Sequence, residues 1–135
     1  MEIDAVARAD IESVLSQVQA DEMGIDPDVG QWIAARDGAQ IAGVARITEI
    51  GGVRTIDDIW VSPEMRRRGV ASALIAHAGA PIWLICDKEM IDFYEGRGFR
   101  LADPRDFPDS LAGLYGARGE WPRASNHKHF AMLLA

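Results

Sequence analysis

The chain has 135 residues, 48% apolar and 26% charged, which suits one globular domain with a packed core and is too short for two ordinary ones. A net charge of −7 and a pI near 4.8 argue against a nucleic-acid partner, which needs a broad basic face, and favour a cationic ligand over an anionic one. No apolar run reaches the ~18 residues of a membrane span, and Met1-Glu2-Ile3-Asp4 lacks the basic and apolar parts of a secretion signal, so no membrane partner and a cytoplasmic location are expected.

Residues 1–7 read as a short strand. Asp10 then precedes Ile11, Val14, Leu15 and Val18 at helical spacing, which predicts an amphipathic helix over 11–18 with Asp10 as its N-cap. Asp26-Pro27-Asp28-Val29-Gly30 is a loop signal. Residues 31–36 and 40–48 read as strands joined at Asp37-Gly38, and Gly51-Gly52 turns the chain into a third strand over 54–61. Pro63 ends that strand. Val70, Ala73, Leu74 and Ala78 suit a helix starting near Gly69 and stopped by Gly79-Ala80-Pro81. The wholly apolar run over 82–86 predicts a strand buried on both faces, ending at Cys86, the only cysteine and a buried structural thiol by this reading. A helix over 88–97 with Gly98 as its C-cap and a strand over 99–101 follow. Residues 103–126 hold three of the six prolines and read as a long irregular excursion with one helical turn near Ser110. A final strand over 127–134 closes the chain. His127 and His129 fall on one face of it, but no spaced Cys, Asp or Glu completes a metal site, so no metal is expected. The order predicts a single-domain mixed α/β fold of the α+β type, with a mostly antiparallel sheet of six to seven strands. Hairpin-linked strands and the lack of G-x-G-x-x-G exclude a dinucleotide-binding Rossmann domain.

Arg66-Arg67-Arg68-Gly69-Val70-Ala71 sits where an apolar strand gives way to a helix. Backbone N–H groups at such a junction have no carbonyl partners and point at whatever lies over the helix N-terminus. Gly69 permits close approach, Ala71 keeps the first turn slim, and the arginines supply forked donors, so the stretch reads as an anion cradle suited to a pyrophosphate. On the triplet alone, a solvated surface run is an equal alternative.

Arg66-x-x-Gly69-x-Ala71 matches the Q/R-x-x-G-x-G/A signature of the GNAT superfamily of acyl-CoA-dependent N-acyltransferases, and the chain resembles that family in more than this motif. Ile59-Trp60-Val61-Ser62-Pro63-Glu64 is similar to its V-x-P-E/D lead-in. Asp87-x-x-Met90-x-x-Phe93-Tyr94-Glu95-x-x-Gly98-Phe99 resembles its N-x-x-A-x-x-F-Y-x-x-x-G-F. The resemblance implies helices on both faces of the sheet, splayed fourth and fifth strands, and acetyl-CoA as co-substrate. It implies that backbone groups of Trp60 and Val61 pair with the pantetheine arm. Arg66 belongs to the same signature, and amides of Arg67, Arg68, Gly69, Val70, Ala71 and Ser72 hold the pyrophosphate.

Amine attack on a thioester needs a neutral amine and a proton for the departing thiolate. Tyr94 resembles the family tyrosine that protonates the CoA sulfur. The family's usual glutamate base is replaced by Thr55, and Asp57 and Asp58, expected on opposite faces of their strand, are the candidate carboxylates facing the amine. Asp87 stands where the family has asparagine and reads equally as a cofactor contact or a helix N-cap. Trp121 is a candidate wall of the acceptor site, while Trp32, Trp60 and Trp83 read as core or cleft wall. The expected activity is direct N-acetylation of a small-molecule or peptide amine in a ternary complex, by a monomer or homodimer. The alternative is a catalytically inactive acyl-CoA-binding module that regulates a protein partner. A third reading, an RNA-binding domain, is disfavoured by the overall acidity.

Overall fold

The computed structural model describes residues 1–15, 30–102, 108–110 and 129–135. The strands are β1 (Glu2–Val6), β2 (Gln31–Asp37), β3 (Gln40–Ile50), β4 (Val53–Val61), β5 (Ile82–Asp87), β6 (Arg100–Leu101) and β7 (His129–Leu134). The helices are α1 (Glu12–Leu15), α2 (Val70–Ala78) and α3 (Ile91–Glu95). The strands form a mixed, mostly antiparallel seven-stranded sheet in the order β1-β2-β3-β4-β5-β7-β6. The chain divides into two compact units, 1–48 with 56–79 and 49–55 with 80–135, a boundary that cuts both β3 and β4.

In the first unit, Gly38 with φ 64° supplies the turn between β2 and β3, where Asp37 pairs with Gln40. Register then sets the faces. Ala35 pairs with Gly43 but Arg36 with Ile41, so Ala42 is an extra residue, a β-bulge in β3. The bulge puts Ala42 and Ala45 on one face despite their odd spacing. There they join Ile33, Ala35 and the α2 residues Val70 and Leu74 in one core cluster. The other face buries Trp32, Ala34 and Val44 under Ile11, with Val14 and Leu15 of α1, Ile41 and Trp60 packed against them. Burial of a side chain such as Leu74, fully inaccessible, contributes about 1.5–3 kcal/mol.

Gly43 is tightly packed within this unit. A Cβ there would meet Trp60 O and Val70 Cγ1, both at 2.8 Å. The backbone carbonyl cannot move aside as a flexible side chain would, so Gly43→Ala should destabilise the fold by about 1–3 kcal/mol. A urea midpoint unchanged from wild type would contradict this packing.

In the second unit, β7 runs antiparallel to β5, from Ile82↔Leu134 to Asp87↔His129, and also pairs with β6. Ile82, Trp83, Leu84 and Cys86 are buried, as are Phe99, Ala131 and Met132, which agrees with the apolar run expected of a covered strand. Gly51 and Gly52, at φ 58° and 80°, form the β3–β4 turn, and two consecutive positive φ values are what a type I′ hairpin turn demands.

Two helix starts differ from expectation. Asp10 lies inside a 3₁₀ turn (Arg8–Ile11) that precedes α1, and Ala7 holds the N-cap position, because the chain enters this segment through a tighter winding than an α-helix. The helix expected over 88–97 begins as a 3₁₀ turn (Lys88–Met90) and is α-helical only over Ile91–Glu95. Its exit is as expected. Gly98, at φ 94°, donates to Glu95 O at 3.1 Å while Phe99 N–H donates to Tyr94 O at 3.1 Å, the paired bonds of a Schellman motif. The end of the first predicted helix, the Asp26 loop, most of the 103–126 excursion, Trp121 and His127 lie outside the described residues. Among the described residues, no helix is long and apolar enough to cross a membrane.

Candidate functional site

Within the first unit, Pro63 starts a 3₁₀ turn (Pro63–Met65) directly after β4, and the backbone then passes through Arg67 at φ 65° and Gly69 at φ 81° before α2 begins at Val70. A left-handed arginine costs roughly 1–2 kcal/mol, and such turns gather successive N–H groups into an anion-binding concavity. Val70, Ala71 and Ser72 form the first turn of α2, whose N–H groups have no carbonyl partner within the helix. Among the described residues, no atom beyond its chain neighbours lies within 4 Å of where a Gly69 Cβ would be, so the space over this turn is open. Arg66, Arg67 and Arg68 are all exposed. Arg66 is committed, with its Nε donating to Val61 O at 3.2 Å.

The strand leading into this loop divides the two residues expected to offer backbone groups. Ser62 N–H donates to Ala42 O at 2.8 Å, and Trp60 O lies against Gly43. By alternation these residues turn their backbone towards β3, and Val61 turns its own away. Trp60 therefore does not fit the paired backbone role, while Val61 does, with its carbonyl already taking the Arg66 bond.

On the α1 face of the same unit, Arg46 is fully buried. Its Nε lies 2.9 Å from Asp58 Oδ2 and 3.9 Å from Asp57 Oδ2, and the guanidinium sits 5.9 Å from the Trp32 ring centroid. Thr48 donates its hydroxyl hydrogen to Asp57. The two aspartates do not look to opposite sides as a regular strand predicts. The long arginine reaches both, and their side chains keep only 1% and 6% exposure, Asp57 the lower. Arg46 escaped sequence reading because one charge in an apolar strand gives no sign of burial. Counting outward from a Gly51-Gly52 turn does place it opposite Asp57, and that pairing of opposite charges was the available signal.

In the second unit, Tyr94 is held edge-on by Phe93 at 5.1 Å and Phe99 at 5.7 Å between ring centroids. Burial pushes its phenol up to about 12, with neighbouring Cys86 adding to the rise and Arg97 opposing it. The hydroxyl thus keeps its proton throughout the neutral range. Arg97 lies 3.5 Å above the Phe93 ring and donates from Nη1 to Phe93 O at 2.7 Å, which fixes the helix end that carries Tyr94. Asp87 occupies the N-cap position before residues 88–90, but its side chain makes no capping hydrogen bond.

A profile described as an acetyltransferase (GNAT) domain matches residues 27–101, more than half of the chain. The chain belongs to the GNAT acetyltransferase family. Solved structures agree in fold. The GNAT chain superposes on an IAA acetyltransferase from Bacillus cereus ATCC 14579 with TM-score 0.68 at 18% identity, covering 98% of this chain and 97% of that one. It also superposes on a Bacillus subtilis acetyltransferase in complex with CoA, with TM-score 0.65 at 17% identity over 98% and 97%. A Bacillus anthracis protein solved with acetyl coenzyme A gives TM-score 0.63 at 15% identity over 98% and 95%. No curated protein sequence matches the chain.

Cys86 of this GNAT domain is chemically quiet. Burial, and secondarily the charge of Asp87, push its thiol up to about 11, and Sγ rests 3.6 Å from Met132 Sδ. About one thiol in a thousand is then ionised at pH 8. Iodoacetamide should alkylate the folded protein more than about tenfold slower than the urea-unfolded chain. Equal rates would contradict the burial.

Proposed function

We propose that this GNAT domain transfers an acetyl group from acetyl-CoA to a primary amine, by direct attack within a ternary complex. The observation that carries the reading is the left-handed Arg67 and Gly69 backbone opening onto the N-terminus of α2. It suits a pyrophosphate by shape and by the number of N–H donors it gathers. Amides from Arg67 through Ser72 hold the phosphates, Arg66 braces the loop against Val61, and Val61 offers its outward backbone to the pantetheine amides. Bound acetyl-CoA supplies the activated thioester carbonyl and the thiolate leaving group. The CoA and acetyl-CoA seen in the Bacillus subtilis and Bacillus anthracis structures support the same choice of co-substrate.

Tyr94 serves as the acid. As the new C–N bond forms and the C–S bond breaks, its phenolic proton passes to the sulfur, and solvent restores it afterwards. Asp57 and Asp58 bring two carboxylates together beside Arg46 on that face. Carboxylates favour an approaching ammonium, and Asp58, whose side chain is the more exposed of the two, is the one we assign to receive the amine's proton.

One observation favours the rival reading of a non-catalytic acyl-CoA sensor, namely that both aspartates are already engaged by Arg46. Release of free CoA thiol from acetyl-CoA against a panel of primary amines separates the two. Amine-dependent release supports the enzyme. Tight acetyl-CoA binding with no release on any amine selects the sensor.

A further inference from the structure

A cavity of about 530 Å³ opens on the α1 side of the sheet within the first unit, a volume typical of small-ligand sites. Arg36 and Ile41 face it as register partners on β2 and β3, Trp60 continues the wall on β4, and Asp10 and Glu64 line it from the two 3₁₀ turns. Arg36 and Asp10 carry opposite charges, yet neither forms an ion pair among the described residues. Glu64 has one carboxylate oxygen taken by the Ser62 hydroxyl. That bond, and one from its own backbone, hold its carboxyl below the usual range, so it is anionic at neutral pH.

Two opposite charges that share a cavity without meeting each other call for a ligand that carries both. A simple anion placed on Arg36 faces two carboxylates, and a simple cation placed between those carboxylates faces Arg36. Trp60, Ile41 and Val14 give the rest of the wall an apolar stretch, beside the polar Ser13, Gln40 and Ser62. We propose that this cavity binds a free α-amino acid with an apolar side chain. Its carboxylate sits on the Arg36 guanidinium, its ammonium on Asp10 and Glu64, and its side chain against Trp60 and Ile41. The assignment goes beyond the acetyl-transfer reading and does not depend on it.

Three probes of one shape test it. L-leucine carries both charges, L-leucinamide only the ammonium, and N-acetyl-L-leucine only the carboxylate. Binding is followed in the absence of acetyl-CoA, through the Trp60 indole N–H resonance assigned with Trp60→Phe. The expected result is saturable binding of leucine about tenfold tighter than of either single-charge analogue, or more. Arg36→Gln should bring leucine down to the level of leucinamide, and Asp10→Asn should weaken leucine and leucinamide but not N-acetyl-leucine. Equal affinities for all three, or no movement of the Trp60 resonance, would overturn the proposal. That failure would leave acetyl transfer untouched, since the CoA-release assay reads it separately.

Discussion

Tyr94→Phe should lower kcat for acetyl transfer by about 10²–10³-fold, the usual range for loss of a positioned general acid, and leave KM for acetyl-CoA within about twofold. The reason lies in what the substitution removes. The ring is held by its contacts with Phe93 and Phe99, so phenylalanine keeps the packing and loses only the hydroxyl. With its phenol raised to about 12, Tyr94 is fully protonated at neutral pH, and no alkaline loss of activity below about pH 10 should trace to it. Stability carries the same signature. A folded-state value above the unfolded value near 10 means that the contribution is complete below pH 10 and is lost as pH rises towards 12, where the unfolded chain holds fewer protons. The Tyr94→Phe protein should show a shallower fall in stability across that window. A variant with unchanged kcat would remove Tyr94 from the mechanism, whatever its pH profile.

The second large effect concerns Arg46. Its guanidinium is inaccessible and is the buried cation facing both Asp57 and Asp58. Arg46→Met keeps most of the side-chain volume and takes the guanidinium away from two carboxylates with 1% and 6% exposure. Breaking a buried ion pair on one side typically costs about 3–5 kcal/mol, a large share of the stability of a domain this size. Urea unfolding should report that loss as a lowered midpoint with unchanged slope. Replacing Arg46, Asp57 and Asp58 together by apolar residues should recover much of it, because the buried carboxylates leave with the guanidinium. A loss under about 1 kcal/mol in the single variant would mean that the pair is solvated rather than buried.

Much of this was legible in the chain because it rests on local chemistry. Gly51-Gly52 and Gly38 mark turns that demand positive φ, Gly98 ends its helix for the same reason, and the apolar run before Cys86 became the covered strand β5. The turn at Gly69 was visible too, since glycine after three arginines and before a helical pattern leaves few other conformations. What stayed hidden depends on partners distant in sequence. The bulge at Ala42 shifts which residues of β3 share a face, and no signal within β3 announces it. Burial of Arg46 needed the β3–β4 register, and the turn of Trp60 backbone towards β3 needed the Ser62 to Ala42 bond. Asp10 failed as a cap because capping preference describes an α-helix, and the chain entered through a 3₁₀ turn.

The central claim is that the loop between β4 and α2 is a coenzyme A pyrophosphate cradle. It is tested most directly by titrating acetyl-CoA into ¹⁵N-labelled protein and following the backbone amides. Large, saturable shifts centred on residues 67–72 are expected, lost when the pyrophosphate-free thioester S-acetyl-pantetheine replaces acetyl-CoA. Saturable binding that leaves those amides in place, or equal shifts with S-acetyl-pantetheine, would contradict it.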